Sequence, residues 1–530
     1  MERTKAIIRV IILAPVAALL GVLVGGMLGV VGSGIEAALG LGTDAIGRIM
    51  QLVGAVLGAI GGVFIVIRRY FPKGTVSDVF GTARWAQAKD TKPLTESHDG
   101  LLIGRDLRKP DLFRYDGAAH LITLAPTRTG KGVGAIIPNL LTADRSVICI
   151  DPKGENARVT GRRREAIGKA FYLDPFGVSG KPGSAYNPLD ALDPAAVDLA
   201  EDAATIADAL VFDPPGQVSD NHWNEESKAL ITGMILYAVC HEEPENRTLA
   251  TVRDYLTLAP DQFKGLLTLM QQSREARGLI ARAANRQIGK SEREGAGVLS
   301  NAQRHTHFLD SPRIHDVTAR SDFRFADLKT DKATVFLILP PDRLDTYARW
   351  LRLLLAQALT DMARSPAKPE KPVLFMLDEF AALGRLDPVE RAMGLMAGYG
   401  LQLWPILQDI HQLRALYGEK AGTFFSNAGV IQTFGVNDYE TAEWISKTLG
   451  QATIEFSTHQ HGKSTSGPLA TTRTQGVSQQ LTGRALLTPD EVMHNPENEQ
   501  ILMVKDMPPV AARKLRYFED KEFSGLYDQP

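Results

Sequence analysis

An α/β fold built on a parallel central sheet follows from three features of this 530-residue chain. Short apolar runs rich in β-branched and aliphatic residues recur between Gly, Pro and Asp. Helical patterns separate many of them. One run opens directly into a Gly-containing loop that carries a lysine. Strands that alternate with helices specify a parallel sheet, whose crossovers cover both faces. Charge nearly cancels, with 59 Lys+Arg against 61 Asp+Glu, and 44% of residues are apolar. These values exclude a strongly basic coat protein and an acidic disordered chain. Two cysteines, Cys149 and Cys240, are too few for a disulfide scaffold or a zinc ribbon. Both lie in apolar stretches and read as reduced core residues.

The elements follow in chain order. Val10 to Ile35 is 26 residues without a charge, and Ile49 to Ile67 is 19. A helix of about 20 apolar residues crosses a bilayer, so each is long enough. The first exceeds the apolar region of a signal peptide. Residues 1–70 therefore read as a membrane anchor with two transmembrane helices, at about 10–35 and 46–67. Arg3, Lys5 and Arg9 precede the first span, and Arg68, Arg69 and Lys73 follow the second. The positive-inside rule then puts both ends of the chain in the cytoplasm. Gly21, Gly25 and Gly29, and likewise Gly54, Gly58 and Gly62, are spaced for close helix packing.

Beyond the anchor, strand-like runs stand at 120–124, 146–150, 170–173, 333–338, 373–377, 402–404, 430–434 and 500–504. Between about 196 and 325 they give way to helical periodicity. The α/β domain thus divides into residues 71–195 and 326–530, with an all-helical insertion over 196–325. Six basic residues lie between Arg274 and Arg293, either a solvated face or a contact for DNA or a partner. Residues 451–484 are rich in Ser, Thr, Gln and Gly, and read as a long mobile loop.

The chemistry lies at strand ends. The run after 120–124 is Ala125-Pro126-Thr127-Arg128-Thr129-Gly130-Lys131-Gly132-Val133. A P-loop has Gly, four residues, Gly, Lys and then Ser or Thr. Here Ala125 replaces the first Gly and Gly132 the hydroxyl residue, but strand and helix flank it as required. The amides of Thr127 to Val133 can wrap a phosphate, and Lys131 can reach its outer oxygens. Without a hydroxyl at 132, Mg2+ leans on a carboxylate and on water. Val373 to Leu377 then ends in Asp378-Glu379, the Walker B pattern. Asp378 would hold Mg2+ through water, and Glu379 would orient and activate the attacking water. The pair of motifs predicts ATP hydrolysis. His222 reads as a packed helix start rather than a metal ligand.

Several runs together resemble the TraG-like coupling-protein ATPases of type IV secretion and conjugation. They are Pro126 to Gly134 with Pro138-Asn139-Leu140-Leu141, Asp151-Pro152-Lys153-Gly154-Glu155-Asn156, Tyr186-Asn187-Pro188-Leu189, Leu377 to Gly384, Gly398 to Leu401 with Gln408-Asp409, and Gly81 to Ala86. The resemblance covers nearly the whole chain. It implies a RecA-like P-loop NTPase domain, a homo-hexameric ring with ATP between subunits, and a place in the bacterial inner membrane. It further implies that a relaxase–DNA complex, or a protein effector, is brought to the secretion channel's components. DNA contact would be sequence-nonspecific, since no base-reading motif is present.

By the same resemblance Lys131 is the phosphate lysine, and Asp378 and Glu379 are the Walker B acids. Gln408 is a strand-end glutamine able to sense the γ-phosphate, and Lys420 a lysine that reaches a neighbouring subunit's nucleotide. Lys153 and Glu155 stand near the nucleotide or in a local turn. Some members carry an arginine before the Gly-Tyr-Gly-like turn. This chain has Leu395-Met396-Ala397 there, which leaves Arg385 or Arg391 as substitutes. Two other readings stay open: a docking platform for protein substrates without DNA pumping, and a translocase of the FtsK type. The FtsK reading expects a separate C-terminal DNA-reading domain, for which little chain remains after Phe518.

Overall fold

A computed structural model describes residues 2–40, 45–70, 79–213, 221–465 and 471–530. The chain divides into two compact units, Met1–Thr82 with Ala452–Arg484, and Ala83–Gln451 with Ala485–Pro530.

The larger unit is organised on an 11-stranded sheet. Its strands are β1 (Leu101–Asp106), β2 (Leu112–Tyr115), β3 (His120–Leu124), β4 (Val147–Asp151), β5 (Lys169–Leu173), β6 (Ala333–Ile338), β7 (Val373–Leu377), β8 (Leu401–Leu407) and β9 (Ala428–Thr433). In the smaller unit lie most of β10 (Gln451–Thr465) and β11 (Thr471–Ala485), and β12 (Glu499–Val504) and β13 (Val510–Arg513) complete the sheet. The order is β2-β1-β13-β12-β9-β3-β8-β7-β4-β6-β5. From β9 to β5 every pairing is parallel. From β9 to β2 every pairing is antiparallel.

The parallel part is the sheet the sequence predicts. Strands β3, β4, β6, β7 and β8 are buried along their whole length, as parallel strands covered on both faces must be. The antiparallel edge adds β1, β2 and β13, which the apolar-run reading does not find. β2 and β13 are short, with four residues each, and β1 interrupts its apolar run with Gly104 and Arg105. Asn139 ties this edge to the core. Its side chain accepts from Leu102 N at 2.8 Å and donates to Leu102 O at 2.9 Å.

A chain of buried side-chain hydrogen bonds crosses the sheet. Trp404 Nε1 donates to Thr123 Oγ1 (2.9 Å), and Thr123 Oγ1 donates to Gln432 Oε1 (2.8 Å). Gln432 Nε2 donates to Gln500 Oε1 (2.7 Å), and Gln500 Nε2 to Ile103 O (2.9 Å). Five strands, β8, β3, β9, β12 and β1, are thereby fixed in register. A one-residue slip would strand these polar groups without partners.

Between β5 and β6 the described residues form helices and no strand, from Leu199–Leu210 to Pro312–Thr318. These helices share one hydrophobic cluster with the sheet and with helix Leu344–Arg364. The helical region therefore lies within the larger unit, packed on the sheet and helix Leu344–Arg364. Of the basic residues there, Arg286 and Lys290 pair with Glu226 at 2.5 and 2.6 Å.

In the smaller unit, helix Glu2–Ala38 contains Ala18–Ile35, which is long and apolar enough to cross a membrane. The apolar part of helix Ala45–Tyr70 is the shorter Gly47–Gly61. Of the paired glycines, Gly29 lies at the crossing of the two helices, where an added Cβ would sit 2.7 Å from Gln51 Cβ. Residues 451–484 correct the loop expectation. Apart from 466–470, which lie outside the described residues, they form β10 and β11, paired in a separate two-stranded sheet. Polar composition suggested a loop, but the β-branched threonines that supply much of it suit an extended backbone.

His305 is fully buried on helix Glu292–Thr306, and burial beside Arg304 and Arg349 holds its imidazole down at about 3. It is neutral in the folded chain, whereas the unfolded chain protonates it below about 6.5. Its contribution is therefore intact above that pH and is lost as pH falls toward 3. Between pH 7 and 5 the parent should lose on the order of 2 kcal/mol more stability than His305→Gln. Denaturant titration at both pH values measures the difference.

Candidate nucleotide site

Open α/β sheets bind ligands at the carboxyl ends of their parallel strands. Here β3, β8, β7 and β4 lie side by side, and the residues after each converge. The segment after β3 starts with Ala125, whose N–H donates to Leu407 O at 2.9 Å. The loop then turns through two left-handed residues, Arg128 (φ 62°) and Gly130 (φ 94°). Thr129 Oγ1 donates to Pro126 O at 2.7 Å, and Lys514 Nζ donates to Thr129 O at 2.8 Å. Thr127 and Arg128 are exposed, while Gly132 and Val133 are partly buried. Gly132–Ile136 forms a π-helical turn that leads into helix Ile137–Thr142. Such a loop and helix start direct backbone amides at an anion.

Lys131 is 8% exposed, and its Nζ lies 3.1 Å from Glu379 Oε1. Glu379 itself takes a left-handed backbone (φ 48°) directly after Asp378. Its other carboxylate oxygen accepts from Gln408 Nε2 at 3.2 Å, at the end of β8. Gln408 is held in turn by its own N–H, which donates to Gln412 Oε1 at 3.0 Å. Asp378 Oδ1 accepts from Glu379 N at 3.0 Å. Burial pushes the Asp378 carboxyl up to about 6, against the pull of Lys131 and with the repulsion of Glu379. A carboxylate held this way gains from a cation beside it. Its oxygen donors suit Mg2+, which keeps waters and phosphate oxygens as ligands.

The structure thus brings Lys131, Asp378, Glu379 and Gln408 together. Lys420 is elsewhere: its Nζ pairs with Glu390 Oε1 at 2.8 Å. Arg385 pairs with Asp387 at 2.8 Å and with Glu390 at 3.6 Å, while Arg391 is exposed. Three neighbours carry no role assigned from the sequence. Asp151 ends β4 beside β7, is 1% exposed, and accepts from Ala157 N at 2.8 Å. The strand-end rule that found Asp378 applies to it equally. Lys514 and Gly435 have no local signal. Gly435 (φ 64°) leaves room that Thr129 Cγ2 occupies, 2.5 Å from where a Cβ would stand. Lys514 lies 385 residues from the loop it braces, and its Nζ sits 5.0 Å from the centroid of the Phe434 ring.

Comparison with known proteins gives the family. Residues 76–529 match the family "Type IV secretory system Conjugative DNA transfer". "Conjugal transfer protein TraG" of Escherichia coli is 29% identical over 501 residues, covering 84% of this chain and 77% of that protein. "Protein VirD4" of Agrobacterium fabrum is 31% identical over 474 residues, covering 84% and 67%. A solved structure, "Plasmid coupling protein TrwB in complex with ADP and Mg2+", shares the fold with a TM-score of 0.61 at 16% identity, covering 84% of this chain and 97% of that one. The chain belongs to the coupling-protein family of conjugative DNA transfer by type IV secretion.

Proposed function

We propose that this coupling protein is a Mg2+-dependent ATPase that recruits a relaxase–DNA complex, or a protein effector, to a type IV secretion channel and drives its transfer. The observation that carries the reading is the convergence of Lys131, Glu379 and Gln408, from three strand ends, on one another. The solved TrwB complex holds ADP and Mg2+ on the same fold.

Each residue then has a task. The amides of Thr127, Arg128, Thr129, Gly130, Lys131, Gly132 and Val133 cradle the phosphates. Lys131 leaves Glu379 for a phosphate oxygen, since a γ-phosphate carries more charge than one carboxylate. Glu379, released, orients a water and accepts its proton as the γ-phosphoryl group passes to the water oxygen, giving ADP and phosphate. Gln408 keeps hold of Glu379 and registers whether the γ-phosphate is there. Asp378 would hold Mg2+ through water; the ion, when bound, neutralises phosphate oxygens. Lys420, once freed from Glu390, acts on a neighbouring subunit's nucleotide in a homo-hexamer.

The anchor is a two-pass one in the bacterial inner membrane, with both ends cytoplasmic. Helix Glu2–Ala38 supports this by leaving Leu19, Met27 and Val30 more than 65% exposed (66%, 73% and 75%), an apolar surface suited to lipid. A docking platform for protein cargo is the second reading, favoured if turnover ignores DNA.

Lys131→Ala in detergent-solubilised full-length protein should abolish ATP hydrolysis, read as phosphate release. Glu379→Gln removes the charge that occupies Lys131 and also the base. It should bind ATP at least as tightly as the parent while losing about 10²-fold or more in kcat, measured by fluorescent-nucleotide titration beside turnover. DNA should stimulate the parent, and the stimulation should fall steeply as salt rises.

A further inference from the structure

The turn that carries the two acids is gripped from outside the sheet. After Glu379 the chain passes through Phe380–Leu383 to Gly384 and Arg385. Arg352, on helix Leu344–Arg364, is 5% exposed and donates from Nη1 to Leu383 O and to Arg385 O, each at 2.7 Å. Its guanidinium carbon lies 3.8 Å from the centroid of the Phe212 ring. Its Nε has no hydrogen-bond partner among the described residues.

Phe212 stands just past the end of helix Leu199–Leu210 in the helical region. Its carbonyl accepts from Arg349 Nη2 at 2.7 Å, and its N–H donates to His305 Nδ1 at 3.4 Å. The ring covers Gly384, which has φ +69° and where a Cβ would collide with Phe212 Cζ. Beside the joint lies a cavity of about 410 Å³, lined in part by Phe212, Arg352, Arg385 and Leu386. The ring and the guanidinium are therefore fastened on one side and have open space on the other.

We infer that Arg352 is a positioning residue for Glu379, and that with Phe212 and Gly384 it forms the joint through which the nucleotide site and the helical region bias each other. The inference rests on the ATPase reading above. Glu379 is five residues from Gly384. When Glu379 exchanges Lys131 for water, any shift of Gly384 must either displace the Phe212 ring or break the Arg352 bonds. The first moves the residue that follows helix Leu199–Leu210, and the second frees the guanidinium stacked on that residue's ring. Coupling of this kind is reciprocal, so load on the helical region alters the reach of Glu379.

Arg352→Lys keeps the charge but shortens the reach to the two carbonyls and loses the planar group that stacks on the ring. Phe212→Leu keeps an apolar filler and removes the ring, and serves if the first variant folds poorly. In each, kcat should fall by about tenfold to a hundredfold while affinity for a fluorescent ATP analogue stays within about twofold. Hydrogen exchange supplies a readout that simple loss of packing would not give. In the parent, a non-hydrolysable ATP analogue with Mg2+ should change exchange both at the 126–133 loop and at 203–213; in the variants only the loop should respond. Parental kcat in both variants, or no nucleotide response at 203–213 in the parent, overturns the joint. Parental turnover in Lys131→Ala, run alongside, overturns the ATPase reading itself.

Discussion

The buried ammonium of Lys131 is the constraint on which the rest of the site depends. At 8% exposure it needs a counter-charge, and Glu379 supplies one at 3.1 Å from 248 residues away. Removing one member of such a buried pair is costly because the other is left uncompensated. For the two to meet, β3 and β7 must run in the same direction and end at the same edge, with only β8 between them. That intervening strand brings Gln408 to the free oxygen of the same carboxylate. One ion pair thus demands the parallel order of the central sheet. In the proposed cycle it is also the interaction that nucleotide must replace.

The sheet holds that edge through its buried polar chain. Trp404, Thr123, Gln432 and Gln500 link β8, β3, β9 and β12, and reach Ile103 of β1. Apolar contacts alone would tolerate a shifted strand, whereas hydrogen-bonded side chains in a dry core do not. The antiparallel hairpins are fastened to the parallel part of the sheet by the same bonds. From the far side, Lys514 follows β13 and returns to brace the phosphate loop at Thr129 O. Chain segments from both ends of the α/β unit thereby meet at one loop.

Much of this was legible in the sequence, for a physical reason. Strands buried on both faces are continuous apolar runs, so β3, β6 and β7 were read with the bounds the structure gives them. Strand-end chemistry was legible for the same reason: once a run is a strand, Lys131, Asp378, Glu379 and Gln408 fall at its carboxyl end. Strands β1, β2 and β13, on the antiparallel side, lack that signal. The 451–485 pair hid behind a polar composition that did not exclude a backbone ladder. Arg352, Phe212 and Lys514 could not be found by any local pattern, because their meaning comes from partners far away in the chain. Lys420, whose family-like spacing predicts action on a neighbouring subunit's nucleotide, pairs within its own chain with Glu390.

The most direct test of the account is an experimental structure of the full chain with a non-hydrolysable ATP analogue and Mg2+. The account predicts that Lys131 Nζ leaves Glu379, now 3.1 Å away, and contacts a phosphate oxygen, while Gln408 remains on Glu379. A nucleotide bound away from the 126–133 loop, or bound there with the Lys131–Glu379 pair intact, would contradict it.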